Sequence, residues 1–276
     1  MKRPRVGKVR YINCEPVYYG MEEGAVEAGC DLVEGTPAEL NRMLERGDLD
    51  VSVISSVAYA RAPGRFRLLP DLAIACDGAV GSVLCLSRLP LQELDGQSVL
   101  ITRESLTSVY LLRLLLQRGY GVAPVYLQGD VSEELPPKVV AGLLIGDPAL
   151  RAGHACRYPH QLDLGEGWKS LTGLPFVFAF WGVREDFYHA HPERTRELHR
   201  ALLASKAYSL GRAEALSVAV HRRVGISEEA CLNYFRKQLS FDLTPGHLEG
   251  FTEFLASPEL DGVVTLPVPW RFVEMG

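Results

Sequence analysis

The sequence predicts an α/β protein built as two lobes around a cleft, with a helical C-terminal segment. Three observations carry this. Short β-type runs alternate with helical patterns, which favours largely parallel strand pairing. The pattern breaks near Ser87–Pro90 and again near Phe176–Val183, so the chain crosses between lobes and returns. The last third then reads as helix after helix. Together these give a discontinuous first domain, 1–87 plus 183–276, and an inserted domain, 88–182, with hinges near 87–90 and 176–183. Area scaling supports one large domain or two modest ones, with roughly 12,000 Å² exposed of about 44,000 Å² in the extended chain.

The strands expected in order are Gly7–Ile12, Asp50–Ile54, Ser82–Leu86, Ser98–Thr102, Val139–Ile145 and Pro175–Val183. The best helix start lies in GTPAELNRMLERG, residues 35–47. Thr36 is the N-cap, Pro37 fills the first helical position and Glu39 completes a capping box. Leu40, Met43 and Leu44 form the apolar stripe, and Gly47 ends the helix. A second helix lies in 104–121, with Leu111, Leu112, Leu115 and Leu116 at helical spacing and Gly119 as its stop. Four more are expected: Pro192–Gly211, a piece ending at Val224, Ser227–Leu239 and Thr244–Ala256.

Charge and cysteine usage exclude several function classes. The net charge is −5 with both signs mixed throughout. A nucleic-acid binder needs a basic face, and the basic stretches Lys2–Arg10 and Arg194–Arg200 are short and diluted. No apolar run reaches a membrane span. The start, MKRPRVGKVRYINCEP, lacks the apolar stretch of a signal peptide, so a cytoplasmic location is expected. The six cysteines (14, 30, 76, 85, 156, 231) show no C-x-x-C, and Cys14, Cys30, Cys85 and Cys231 read as buried free thiols. The pattern sets no oligomeric state.

No nucleotide-binding, zinc-protease or nucleophile-elbow motif is present, so neither a cofactor nor a metal is implied. All seven histidines lie in the second half and read as surface residues. The remaining candidates are polar residues at strand ends. Ser55 and Ser56 follow the run VSVI, where they cap the next turn or face a ligand. Ser105, Thr107 and Ser108 crowd the start of the leucine-rich helix; a cap needs one hydroxyl, and three beside free N–H groups suit a carboxylate or phosphate. Asn13 follows the first strand, either as an Asx-turn or as a site residue. Ser82 is preceded by Gly78 and Gly81, which permit close approach. Gly146 and Asp147 end a buried strand, with Asp147 an N-cap or a pocket carboxylate. Trp168 and TGLPFVFAFW supply either cleft wall or hinge packing. These residues describe a small-anion binder and go no further.

The segments YINCEP, GTPAELN, LDVSVISSVAYAR, LLPDLAI, GAVGSVLCLS, ESLTSVYLLRLLL, LLIGDPAL and DLGEGWKSLTGLPFVFAFW run in order between about residues 7 and 184. Taken together, this set resembles the chorismate dehydratases of the futalosine route to menaquinone. The resemblance implies a type II periplasmic-binding-protein-like fold. It also implies the cofactor-free loss of water from chorismate, a dicarboxylate, to give 3-[(1-carboxyvinyl)oxy]benzoate. By position, Asn13 and Ser82 match the residues expected beside the reacting ring, with Ser55, Ser56, Ser105, Thr107, Ser108, Gly146 and Asp147 around the substrate. A substrate carboxylate is the preferred proton acceptor and Asp147 the protein alternative. The sibling 1,4-dihydroxy-6-naphthoate synthases resemble this sequence too, but carry a catalytic His just after the strand that here ends LLI, where this chain has Gly146. A non-catalytic small-anion sensor is the third reading; turnover separates it from the enzymes.

Overall fold

The computed structural model describes residues 3–275; residues 1, 2 and 276, which fall in the expected first domain, lie outside the described residues. Its strands are β1 (Arg5–Val9), β2 (Asp31–Gly35), β3 (Val51–Ser55), β4 (Phe66–Cys76), β5 (Val83–Ser87), β6 (Ser98–Ile101), β7 (Val125–Gln128), β8 (Ala141–Ile145), β9 (His160–Asp163) and β10 (Phe176–Arg184). They form two five-stranded sheets, ordered β2-β1-β3-β10-β4 and β7-β6-β8-β5-β9.

The sheets are mixed rather than largely parallel. β1 runs parallel to β2 and β3, and β6 parallel to β7 and β8. β5 and β10 run antiparallel to both of their neighbours. Each is the first strand after the chain passes from one sheet to the other, and each enters the new sheet against the local strand direction. Strand pairing puts the passages slightly earlier than the sequence breaks: β5 already pairs in the second sheet, and all of β10 pairs in the first.

Local capping follows the sequence closely. The helix Pro37–Arg46 starts on the Thr36–Glu39 capping box and stops at Gly47, which is left-handed (φ 83°). The leucine-rich helix runs over Leu106–Tyr120, one turn-end beyond the expected Gly119, because Gly121 adopts the left-handed cap (φ 69°). The C-terminal segment gives helices Pro192–Leu210, Ala213–Val224, Glu228–Asn233 and Pro245–Leu255, with a π-helical turn at Tyr234–Gln238. It packs back on the first sheet, where Phe180 meets Phe251 and Phe176 meets Phe254 edge to face. Trp168 joins this aromatic core against Phe176 and Phe254 rather than walling a cleft.

Two histidines depart from the surface reading. His199 is buried with Nε2 on the Pro70 carbonyl at 2.8 Å, and His247 is buried in the Thr244 cap. All six cysteines are free; Cys14, Cys76, Cys85 and Cys231 are buried, Cys30 is half-buried and Cys156 is exposed. Among the described residues, no helix is long and apolar enough to cross a membrane.

Candidate active site

Strand ends from both sheets meet at one narrow cavity of about 70 Å³. From the first sheet, β1 leads to Tyr11 and Asn13, and β3 ends at Ser55; from the second, Ser82 precedes β5, and Gly146 follows β8. Glu104, Ser105 and Ser108 come from the start of the helix Leu106–Tyr120, while Val9, Val53, Ile74, Val83, Ile145 and Phe178 supply apolar wall. A larger groove of about 730 Å³ lies at the amino end of β1, lined by Arg3, Arg5, Arg184 and Arg194 among others. Three of these four arginines are already engaged: Arg3 with Asp31, Arg184 with Asp50 and Asp186, Arg194 with Glu197 and the Gly29 carbonyl. The narrow cavity is therefore the better site.

Six of the nine candidate residues line it: Asn13, Ser55, Ser82, Ser105, Ser108 and Gly146. Ser56, Thr107 and Asp147 stand behind the wall. Thr107 Oγ1 lies 2.8 Å from Ser55 Oγ and 3.1 Å from Ser56 Oγ, and accepts the Val57 N–H at 3.0 Å. Ser56 gives its proton to the Val177 carbonyl at 2.8 Å. This cluster spans the two sheets and leaves Ser55 facing the cavity. Ser105 Oγ caps its helix by accepting Ser108 N–H at 3.2 Å and lies 2.8 Å from Ser108 Oγ. Two hydroxyls at a helix amino end make a suitable cradle for an anion.

Asn13 sits in the one-turn 3₁₀ segment Ile12–Cys14, and its Oδ1 is buried with no hydrogen-bond partner. A buried acceptor left unpaired is costly unless a ligand or water supplies a donor. Asp147 holds that segment from the other lobe, Oδ1 accepting Ile12 N–H at 2.9 Å. Burial pushes the Asp147 carboxyl above its ordinary value, partly offset by the Ile12 N–H and by Arg223 and Arg151. Gly146 has φ +65°, and a Cβ there would meet the Tyr11 ring at 2.4 Å, so the ring fixes glycine at this place. Its N–H donates to the Ser82 carbonyl at 2.8 Å.

On β1 a charge network is centred on the buried pair Lys8 and Glu15. Lys8 Nζ pairs with Glu15 at 3.2 Å and Glu22 at 2.5 Å, and Arg223 reaches the other Glu15 oxygen at 2.5 Å. Burial pulls the Lys8 ammonium down, but Glu15 and Glu22 outweigh it and hold it above its ordinary value.

Sequence reasoning missed four residues here. Tyr11 and Glu104 flank recognised positions, and Glu104 also accepts Ala38 N–H at 3.3 Å across the cleft. Asp163 accepts the N–H groups of Val80, Gly81, Gly165 and Glu166, fixing the loop before Ser82 and capping the next helix at once; its signal was the DLGE cap pattern. Tyr234 donates to Ser82 Oγ from a stretch with no motif.

The profile of the family described as menaquinone biosynthesis matches residues 4–258. A protein named chorismate dehydratase from Thermus thermophilus is 34% identical over 275 residues, covering 93% of this chain and 97% of that one. A protein named 1,4-dihydroxy-6-naphtoate synthase from the same organism is 30% identical over 210 residues, covering 72% and 71%. Among solved structures, protein AF1704 from Archaeoglobus fulgidus has a TM-score of 0.74 at 22% identity over 95% of this chain and 98% of its own. The Candida albicans CA3427 product, described as having the generic periplasmic binding protein fold, has a TM-score of 0.68 at 10% identity over 100% and 99%. The chain adopts that two-lobed fold, and it belongs to the menaquinone-biosynthesis family.

Proposed function

We propose that this protein is a chorismate dehydratase, a hydro-lyase that removes water from chorismate to give 3-[(1-carboxyvinyl)oxy]benzoate in the futalosine route to menaquinone. What supports the reading is one observation. Asn13, Ser82 and the hydroxyls of Ser55, Ser105 and Ser108 face one cavity in a chain that matches a named chorismate dehydratase along 93% of its length. The reading includes a cytoplasmic enzyme acting on a diffusible small molecule.

The elimination is redox-neutral: the C3 proton is taken first, the C4 hydroxide then departs and combines with a proton as water, and the ring becomes aromatic. Aromatisation supplies the drive, so the protein's task is to position the substrate and stabilise developing charge. One substrate carboxylate sits at the Ser105–Ser108 helix start and the other at Ser55. Asn13 and Ser82 hydrogen-bond the carbanion-like intermediate and the departing hydroxyl. Among the described residues the cavity is lined by no His, Lys or Arg; its one carboxylate, Glu104, is engaged by Ala38 N–H, and Asp147 is turned to Ile12 N–H. The substrate's own side-chain carboxylate therefore takes the C3 proton.

The alternative, 1,4-dihydroxy-6-naphthoate synthase, has one named relative in its favour. Against it stands position 146, where the backbone is left-handed and Tyr11 fills the Cβ space, so no catalytic side chain fits. Proton NMR of a chorismate incubation separates the readings. The dehydratase converts ring methine signals into aromatic ones; unchanged spectra with calorimetric binding of chorismate would identify a sensor instead.

A further inference from the structure

The C-terminal segment reaches the cavity through one group that no motif marks. After the helix Glu228–Asn233 the chain widens into the π-helical turn Tyr234–Gln238, with Leu239 N–H returning to the Tyr234 carbonyl at 3.1 Å. Such turns are rare and concentrate at functional sites. This one lies on the residues that open β5. The Gln238 side chain fills the space beside Gly81, where a Cβ would meet its Oε1 at 2.7 Å, and the Tyr234 hydroxyl donates to Ser82 Oγ at 2.8 Å.

Proton counting then fixes the direction of the chain of hydrogen bonds. Tyr234 is fully buried, and Ser82 Oγ is the one hydrogen-bond partner of its hydroxyl among the described residues. A buried phenol has a single proton and must place it on an acceptor. Ser82 Oγ takes it, so among the described residues the Ser82 hydroxyl proton is left with no acceptor, on a residue that lines the cavity. The Ser82 backbone is held independently, by Gly146 N–H on its carbonyl and by Asp163 on the two preceding N–H groups.

We infer that Tyr234 is a positioning residue that fixes Ser82 as a hydrogen-bond donor to the ligand, and so ties the C-terminal helices to the chemistry. The inference rests on the dehydratase reading for the identity of the receiving group, the departing hydroxyl. Two hydroxyls in series polarise one another, so the donation from Ser82 strengthens as charge develops on its acceptor.

The test measures kcat, KM and melting temperature for the wild type, Y234F, S82A and the double variant. Phe fills the same space without the proton. Y234F loses about tenfold or more in kcat with KM within about threefold, and the double variant is no slower than S82A alone. A fluorotyrosine introduced at position 234 keeps the fold and changes kcat with KM constant, and carries the test if Y234F does not fold. Wild-type kcat in Y234F or in the fluorotyrosine protein, or losses that multiply in the double variant, would overturn the inference alone. A wild-type chain that does not turn chorismate over would bring down the dehydratase reading and this inference with it.

Discussion

Asp147 and Asn13 are tied to one short segment yet do different work. Asp147 is the charged residue of the pair, but its carboxylate is spent on Ile12 N–H, whereas Asn13 offers an unpaired oxygen to the cavity. Asp147→Asn keeps that acceptor, so turnover of chorismate is expected within about tenfold of wild type. Asn13→Ala removes the amide, whose Nδ2 donates to developing charge while its oxygen accepts from the ligand, with kcat down roughly 100-fold or more and chorismate binding nearly kept. Equal loss in both variants, measured by steady-state kinetics and calorimetry, would restore Asp147 as the base. Gly146→Ala forces a Cβ against Tyr11 and a strained φ, and is expected to lower both melting temperature and turnover. At this scale the sequence makes Asn13, Ser55, Ser82, Ser105 and Ser108 visible because each sits where a strand ends or a helix begins. Tyr234 was invisible because it acts on Ser82 from 152 residues away, and nothing local marks a hydroxyl aimed at another segment.

Strands show the same division between buried and bordering positions. The six strands expected from sequence are β1, β3, β5, β6, β8 and β10, all of them interior to their sheets; the four that went unread, β2, β4, β7 and β9, are the four edges. Interior strands bury both faces and read as apolar runs. Edge strands are polar or interrupted: β7 exposes Val125 and Leu127, β9 reads HQLD, and β4 carries Pro70 followed by Asp71 at φ 57°. Helix starts were read almost to the residue because capping chemistry is local. Thr36→Ala removes the N-cap bond to Glu39 N–H and is expected to cost about 1 kcal/mol in a denaturant melt, with kinetics unchanged. Ser105→Ala loses a comparable cap of about 1 kcal/mol, but it also lines the cavity, so KM for chorismate rises as well. A KM unmoved by Ser105→Ala would remove the helix start from the anion site.

Over the whole molecule, the two sheets are joined by hydrogen bonds across the cavity: Ser55 and Ser56 to Thr107, Ile12 to Asp147, Ala38 to Glu104. The space they leave is well below the roughly 300 Å³ at which small-molecule pockets begin, so parting of the lobes to admit a ligand, and closure on it, are expected. Small-angle scattering is expected to show a smaller radius of gyration with saturating chorismate than without, and an unchanged radius would contradict closure. The end of the chain is fastened separately, where Glu185 receives both Arg67 and Arg271. Burial raises the Glu185 carboxyl, but hydrogen bonds from Arg67 and His189 and the charges of Arg271 and Arg67 outweigh it, leaving the carboxyl below its ordinary value. A depressed acid contributes stability above the ordinary carboxylate range and loses it as pH falls through the folded-state value. Glu185→Gln is therefore expected to be less stable at pH 7, by up to about 1 kcal/mol for a partly exposed cluster, with the gap to wild type closing below about pH 4. The dehydratase reading holds that this cavity removes water from chorismate. Its most direct test is mass spectrometry of purified, dialysed protein mixed with chorismate. A dehydratase gives a product lighter by one water that accumulates over many turnovers and is lost in Asn13→Ala. Chorismate recovered unchanged from a folded protein that binds it would mean that the cavity binds without catalysing.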